Sequence, residues 1–255
     1  MGFFGKIFEK KTCDICGGEI GLLGNKKLED GNLCKSCASK LSPFFSDRRS
    51  STVEEIRQQL EYREANQERV KKFKVTRTLG SDTRKILLDE DAGTFVVTSA
   101  RNLVEANPDV LDYSMVTGCE LDINETQEEE MREDKDGKEV SYVPPRYRYS
   151  YDFDITIHVN HPYFDEIEIR LNSSSIETTP TGGVIASRIP NPKFNREYRE
   201  YETMGNEIIE ILTKAREQAR EEAAPKAAVS CPYCGATTIP DGNGCCEFCG
   251  GAVVG

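Results

Sequence analysis

Eight of the ten cysteines in this 255-residue chain fall in four Cys-x-x-Cys pairs, two towards each end. No other feature restricts the fold as strongly. One tight Cys-x-x-Cys turn aims two sulfurs at one point, and two such turns supply the four tetrahedral ligands of a closed zinc site. Disulfides are the competing use of cysteine, and they belong to oxidising compartments. The first residues, MGFFGKIFEKK, hold one short apolar stretch and no small-residue cleavage site, so no signal peptide is expected. The expectation is reduced thiols, two structural zinc ions and a cytoplasmic protein.

At the C-terminal end, CPYCG supplies Cys231 and Cys234, and CEFCG supplies Cys246 and Cys249. The two turns match in form, each closing on a glycine (Gly235, Gly250) that lets the backbone curl behind the sulfurs. Cys245 breaks that match, because three residues separate it from Cys249. Cys246 is therefore expected to be the ligand and Cys245 the spare thiol. Two knuckles joined by the hairpin ATTIPDGNGC resemble the bacterial zinc-ribbon family.

Near the other end, CDICGG supplies Cys13 and Cys16, and LCKSCASKL supplies Cys34 and Cys37. The second pair opens a short helix, KSCASKLS, stopped by Pro43. Knuckle, hairpin and a helix carrying the last ligands resemble a treble-clef finger with GATA-type spacing. That resemblance implies DNA binding, which would use Lys26, Lys27, Lys35, Lys40, Arg48 and Arg49. Composition opposes it. Residues 1–50 carry nine Lys/Arg against six Asp/Glu, and the net charge is −11, whereas phosphate-backbone binding depends on clustered cations. The following segment, STVEEIRQQLEYREANQERVKKFK, reads as a helix capped by Thr52 and Glu55. Its stripe of Val53, Ile56 and Leu60 is enough to dock on one neighbour.

From about residue 70 to 180 the apolar period becomes two. KFKVTRTL reads as one strand, and RKILLDEDAGTFVVTSA as two strands turning at 91–93. In the next strand Met115, Thr117, Cys119, Leu121 and Ile123 share a face. In the one after, Phe153, Ile155, Ile157 and Val159 point inward, followed by Ile167, Ile169 and Leu171. A helix then runs from about Phe194 to Ala223, with a stripe through Phe194, Tyr198, Tyr201, Gly205, Ile208, Leu212, Ala215 and Ala219. A small antiparallel barrel closed by one C-terminal helix resembles the pleckstrin-homology-like superfold. The expected class is α+β: a mostly antiparallel barrel flanked by two small zinc modules. The expected division is an amphipathic segment (1–12), a four-cysteine finger (13–48), a connecting helix (49–69), the barrel with its helix (70–223), a linker (224–230) and a ribbon (231–255). The stretch 124–139, NETQEEEMREDKDGKE, is expected to be a solvated loop.

A search for chemistry returns little. His158 and His161 lack evident partners, and Cys119 sits on an apolar strand face as a small hydrophobe. No phosphate loop and no nucleophile elbow occurs. Arg77, Arg84 and Lys85 flank the first hairpin where pleckstrin-like proteins bind phosphoinositides, but Asp82 lies among them. The finger with LSPFFSDRRSSTVEEIRQQLEYRE and RTLGSDTRKILLDEDAGTFVVTSA resembles an uncharacterised family of bacterial proteins with an N-terminal zinc finger, which implies no activity. The expectation is a non-enzymatic adaptor or regulator that binds a protein partner. A nucleic-acid-binding regulator and a peripheral lipid-binding protein are the alternatives, and neither nucleic acid nor membrane is an expected partner.

Overall fold

A computed structural model describes residues 11–21, 23–80, 84–178, 191–223, 228–240 and 244–253. The amphipathic start (Phe3, Phe4, Ile7 and Phe8), most of the 224–230 linker and the tip of the DGNG turn lie outside the described residues. Two compact units result, Met1–Arg216 and Glu217–Gly255.

The first unit begins with two miniature hairpins. β1 (Lys11–Thr12) pairs with β2 (Glu19–Ile20), and β3 (Lys26–Lys27) with β4 (Asn32–Leu33). A single helical turn, α1 (Lys35–Ala38), follows. It is shorter than the KSCASKLS expectation, because Ser39 ends it four residues before Pro43. α2 (Val53–Lys72) starts at the foreseen capping box: Thr52 accepts the Glu55 N–H, and Glu55 reaches back to the Thr52 N–H. Ile56 completes an apolar cluster with Ile20, Leu28, Leu33, Leu41, Cys13 and Cys37. The finger therefore has no finished core without the first turns of α2. Gly31 lets the two approach, since a Cβ there would lie 2.5 Å from Val53 Cγ2 and 2.8 Å from Asp14 Oδ2.

β5 (Arg77–Gly80), β6 (Lys85–Asp89), β7 (Thr94–Thr98) and β8 (Leu111–Asp112) form an antiparallel meander in that order, with α3 (Leu103–Ala106) between β7 and β8. β5 starts later than KFKVTRTL suggests, because Phe73 is the C-cap of α2. Both faces of β6 and β7 are buried, so their apolar residues run on without alternating. On one face Leu87, Val96 and Val110 meet Val70 and Phe73 of α2. The other face carries Ile86, Leu88, Phe95 and Val97.

α2 thus touches two neighbours rather than the one its apolar stripe foresaw. Its buried positions are Ile56, Gln59, Arg63, Asn66 and Val70, apolar at the ends and polar in the middle. Arg63 Nη1 lies 2.6 Å from Asp109 Oδ1, with side-chain exposures of 7% and 0%. The same guanidinium donates to the Lys40 carbonyl (3.2 Å) and to the Asn107 carbonyl. Ser42 completes the carboxylate's shell, its hydroxyl donating to Asp109 Oδ2 (2.8 Å). Asn66 donates to the Pro108 carbonyl (2.8 Å) and accepts the Val110 N–H (3.0 Å). One network therefore joins the finger's last turn, α2 and the loop before β8.

The second sheet holds β9 (Val116–Glu133), β10 (Glu139–His161), β11 (Phe164–Arg170) and β12 (Ile176–Thr178). β9 pairs with β10 on one side; β11 and β12 share β10's other side in succession. Phe153, Ile155, Ile157, Val159, Ile167, Ile169 and Leu171 are all buried, as their alternation requires. α4 (Arg196–Ala223) crosses this inner face. Tyr198 sets its ring edge-on to Tyr151 and Phe153, and a Cβ on Gly205 would lie 2.7 Å from Leu121 Cδ1. Arg77 of β5 pairs with Glu207 (2.7 Å). The buried stripe begins at Tyr198 rather than Phe194, which is 84% exposed. Among the described residues the strands form two four-stranded antiparallel sheets with no ladder found between them, and no closed barrel is seen. The acidic stretch 124–139 is not a loop. Most of it is strand, with the turn confined to 134–138.

The second unit holds the end of α4 and a short pairing of β13 (Val229–Ser230) with β14 (Thr237–Thr238).

Removing one member of a buried ion pair leaves the other charged and without compensation. Arg63→Met should therefore lower the stability of the full chain by about 3–5 kcal/mol in urea unfolding. Arg63→Met combined with Asp109→Leu should recover much of that loss. A single mutant as stable as the parent would show that the pair does not bind the elements together. Gln59 is fully buried with neither side-chain polar atom hydrogen-bonded to protein. Gln59→Met should consequently raise stability by about 1 kcal/mol, and a fall would point to a bridging water.

Candidate metal centres

The first centre is assembled by two kinds of turn. The β1–β2 pairing folds 13–18 into a knuckle in which Cys13 N–H donates to the Gly18 carbonyl (2.9 Å) and Gly17 N–H to the Cys13 carbonyl (2.8 Å). Gly17 has φ +70°, a conformation that a side chain would strain. The β3–β4 hairpin then delivers Cys34 to the N-cap of α1, where its sulfur accepts the Cys37 N–H (3.3 Å). Cys34 N–H in turn donates to Cys13 Sγ (3.3 Å). The Sγ atoms of Cys13, Cys16, Cys34 and Cys37 all lie within 4.8 Å of one another.

The second centre uses one knuckle twice. Gly235 N–H donates to the Cys231 carbonyl (2.9 Å), and Cys231 N–H to the Ala236 carbonyl (2.9 Å). Gly250 N–H donates to the Cys246 carbonyl (2.8 Å), and Cys246 N–H to the Gly251 carbonyl (2.8 Å). Gly235 and Gly250 have φ +71° and +70°. The structure gathers Cys231, Cys234, Cys246 and Cys249 within the same 4.8 Å limit. Cys245 is not in the group; its backbone pairs with Ala252.

Both donor sets fit zinc. Four thiolates about 2.3 Å from one ion form a tetrahedron whose edges are about 3.8 Å. The shortest sulfur–sulfur separations are 3.8 Å for Cys16–Cys34, 3.5 Å for Cys231–Cys249 and 3.7 Å for Cys234–Cys246. Each group of four could therefore hold one zinc ion, two in all. The electrostatics agree. Burial pushes the Cys13 thiol up, but N–H groups of Cys16, Cys34 and Ile15 outweigh it and bring it down to about 6. Burial and then the neighbouring thiols, Cys34 first, push Cys37 the other way. In the second site Cys246 falls to about 6 against its burial, through the Cys249 and Phe248 N–H groups. Cys249 receives the Gly251 N–H, which lowers it, yet Cys234 and Cys231 carry it to about 12. One thiolate in each set forms readily and opposes the next, an arrangement that a divalent cation relieves as protons leave.

The remaining sequence candidates do not converge. Cys119 is pushed up to about 12 by burial and then by Glu120, as an inert thiol should be. His158 pairs with Glu120 on the polar face (2.8 Å). His161, which showed no partner in the sequence, is buried and has one: its Nε2 lies 2.9 Å from Tyr62 Oη, and its ring stacks on Phe164 at 4.1 Å. That places it in an aromatic joint between α2 and the β10–β11 turn. Among the described residues only the two cysteine sets gather three or more ligand-type side chains at metal-holding distance. The sequence reading missed Arg63, Asn66 and Asp109. Arg63 and Asn66 lie on the i+3/i+4 line from Ile56 to Val70, but polar residues on that line do not announce their own burial, and Asp109 in its loop gives no signal at all.

Residues 12–59 match a family described as "Domain of unknown function (DUF4428)". The match ends within α2, just after the residues that complete the finger's core. No curated protein and no solved structure matches the chain. No helix among the described residues is long and apolar enough to cross a membrane.

Protein purified without chelator should carry about two zinc ions per chain. Cys246→Ser should surrender the C-terminal ion to a colorimetric chelator much faster than the parent, whereas Cys245→Ser should match the parent. The reverse order would shift the ligand register by one residue.

Proposed function

We propose that this protein is a non-enzymatic, zinc-binding adaptor or regulator of the cytoplasm that acts by holding a protein partner. One observation carries the reading. Beyond Gln127 and its partner Tyr149, where β12 no longer pairs with β10, the paired strands β9 and β10 run on as a two-stranded arm, exposed or half-buried on both faces. A two-stranded ribbon with no packed face is marginal by itself. This one contributes nothing to the core, and surface built at that cost suits recognition. The order of strands, a four-stranded meander, then β9 to β12, then α4, supports a pleckstrin-homology-like reading of the body. The knuckle, hairpin and short helix support a treble-clef reading of the first centre, and the paired knuckles a zinc-ribbon reading of the second. Both centres are then scaffolds, since four thiolates leave no open position for substrate.

Replacing residues 129–147 with Asn-Gly would close the hairpin at Glu128 and Arg148, a pair directly opposite in register. Tagged full-length and shortened chains should be cross-linked in cells and recovered after nuclease treatment. The expected result is a protein partner captured by the full chain and lost from the shortened one. A partner retained without the arm contradicts the reading. Recovery that nuclease abolishes would turn attention to Lys26 and Lys27 of the finger.

A further inference from the structure

Resting on the adaptor reading, we propose that the outer edge of β9, over residues 120–133, is the docking site, and that its occupant is an extended Lys/Arg-rich segment of a partner protein that adds a strand to the sheet.

The backbone supplies the first half of the case. β9 is 18 residues long and pairs along one side only. Among the described residues, no main-chain hydrogen bond from 120–133 goes to any segment but β10. Arg216 donates to the Thr117 carbonyl, before this stretch begins. A long edge of unpaired N–H and C=O groups is a template for another strand; natural edges are blunted by bulges, prolines, brevity or charged side chains. On this one the charged residues, all but one acidic, are a guard that an oppositely charged segment passes. On this arm the irregularity and the prolines lie in β10, between Ser141 and Arg146, and leave β9 regular.

Charge selects the occupant. Residues 120–133, ELDINETQEEEMRE, hold seven acids and one base. Across the ladder, Arg148 stands opposite Glu128 and Arg146 opposite Glu130. Glu125 and Glu129 face Tyr151 and Tyr147, and Glu133 faces Glu139, so β10 leaves a surplus of negative charge. A second copy of the chain fits poorly. Antiparallel pairing of two β9 edges about Gln127 sets Glu125 against Glu129 on either side of the centre, and like charges opposite one another destabilise a ladder. A basic extended segment gains the same main-chain bonds and neutralises those acids.

The probe is a labelled twelve-residue peptide alternating lysine and threonine, titrated into the full-length zinc-loaded chain at about 0.15 M salt. Its control has the same sequence with N-methylated central residues, which keeps the charge and abolishes strand pairing. The expected result is saturable binding that N-methylation weakens by at least about tenfold, with amide exchange slowed within 120–133. Asp122→Thr with Glu129→Thr, two acids lacking a cation opposite, should weaken binding without changing the circular dichroism. Equal binding of the methylated peptide would reduce the effect to bulk attraction by an acidic protein and overturn the proposal. So would protection outside β9, absence of binding, or a homodimer that already shields β9. If the peptide fails while the cellular partner still depends on the arm, this inference falls and the adaptor reading stands.

Discussion

The buried contact between Arg63 and Asp109 is the joint on which the first unit depends. It takes an ion pair into a buried site, which is tolerable only because every facing group is engaged: Ser42 on the carboxylate, and the Lys40 and Asn107 carbonyls on the guanidinium. Such a pair contributes specificity more than stability. Only one placement of the finger's last turn, α2 and the 107–110 loop lets all four partners meet. Asn107 adopts φ +47° there and returns a hydrogen bond from its amide to the Arg63 carbonyl (2.9 Å).

From that joint follows a difference between the two metal centres. The N-terminal cysteines share a core with Ile56 of α2, and α2 in turn covers Leu87 and Val96 of the first sheet. Metal at this centre is thereby tied to the packing of the body. The C-terminal cysteines belong to a separate compact unit. Small modules of this kind lack an apolar core large enough to fold unaided, and metal supplies the missing cross-links.

Much of this was legible in the chain itself. Cys-x-x-Cys-Gly spacing is a statement about a turn, so the placing of Cys246 rather than Cys245 in the second set followed from its two-residue spacing to Cys249, matching the Cys231–Cys234 turn. Strict alternation through Phe153, Ile155 and Ile157 fixed which side of β10 is inward. Other features resist such reading. Arg63 and Asn66 look like solvent residues because burial of a polar side chain depends on partners some 40 positions away, which no local period records. The acidic run 124–133 reads as a loop by composition, yet it pairs because β10 offers tyrosines and arginines across the ladder. How the two sheets meet is a matter of tertiary packing, and alternation, which names only the inward faces, does not record it.

The N-terminal zinc module is a structural part of the body, whereas the C-terminal cysteines belong to a separate compact unit. Site-resolved amide exchange on the full chain bearing Cys37→Ser or Cys246→Ser measures this directly. Loss of the first centre should speed exchange in α2 and at 107–110 and in β6 and β7, as well as in the finger. Loss of the second should leave all residues up to Arg216 as protected as in the parent. If Cys37→Ser loosens the finger alone and α2 keeps its protection, the joint at Arg63 and Asp109 does not couple metal to fold, and the account is wrong.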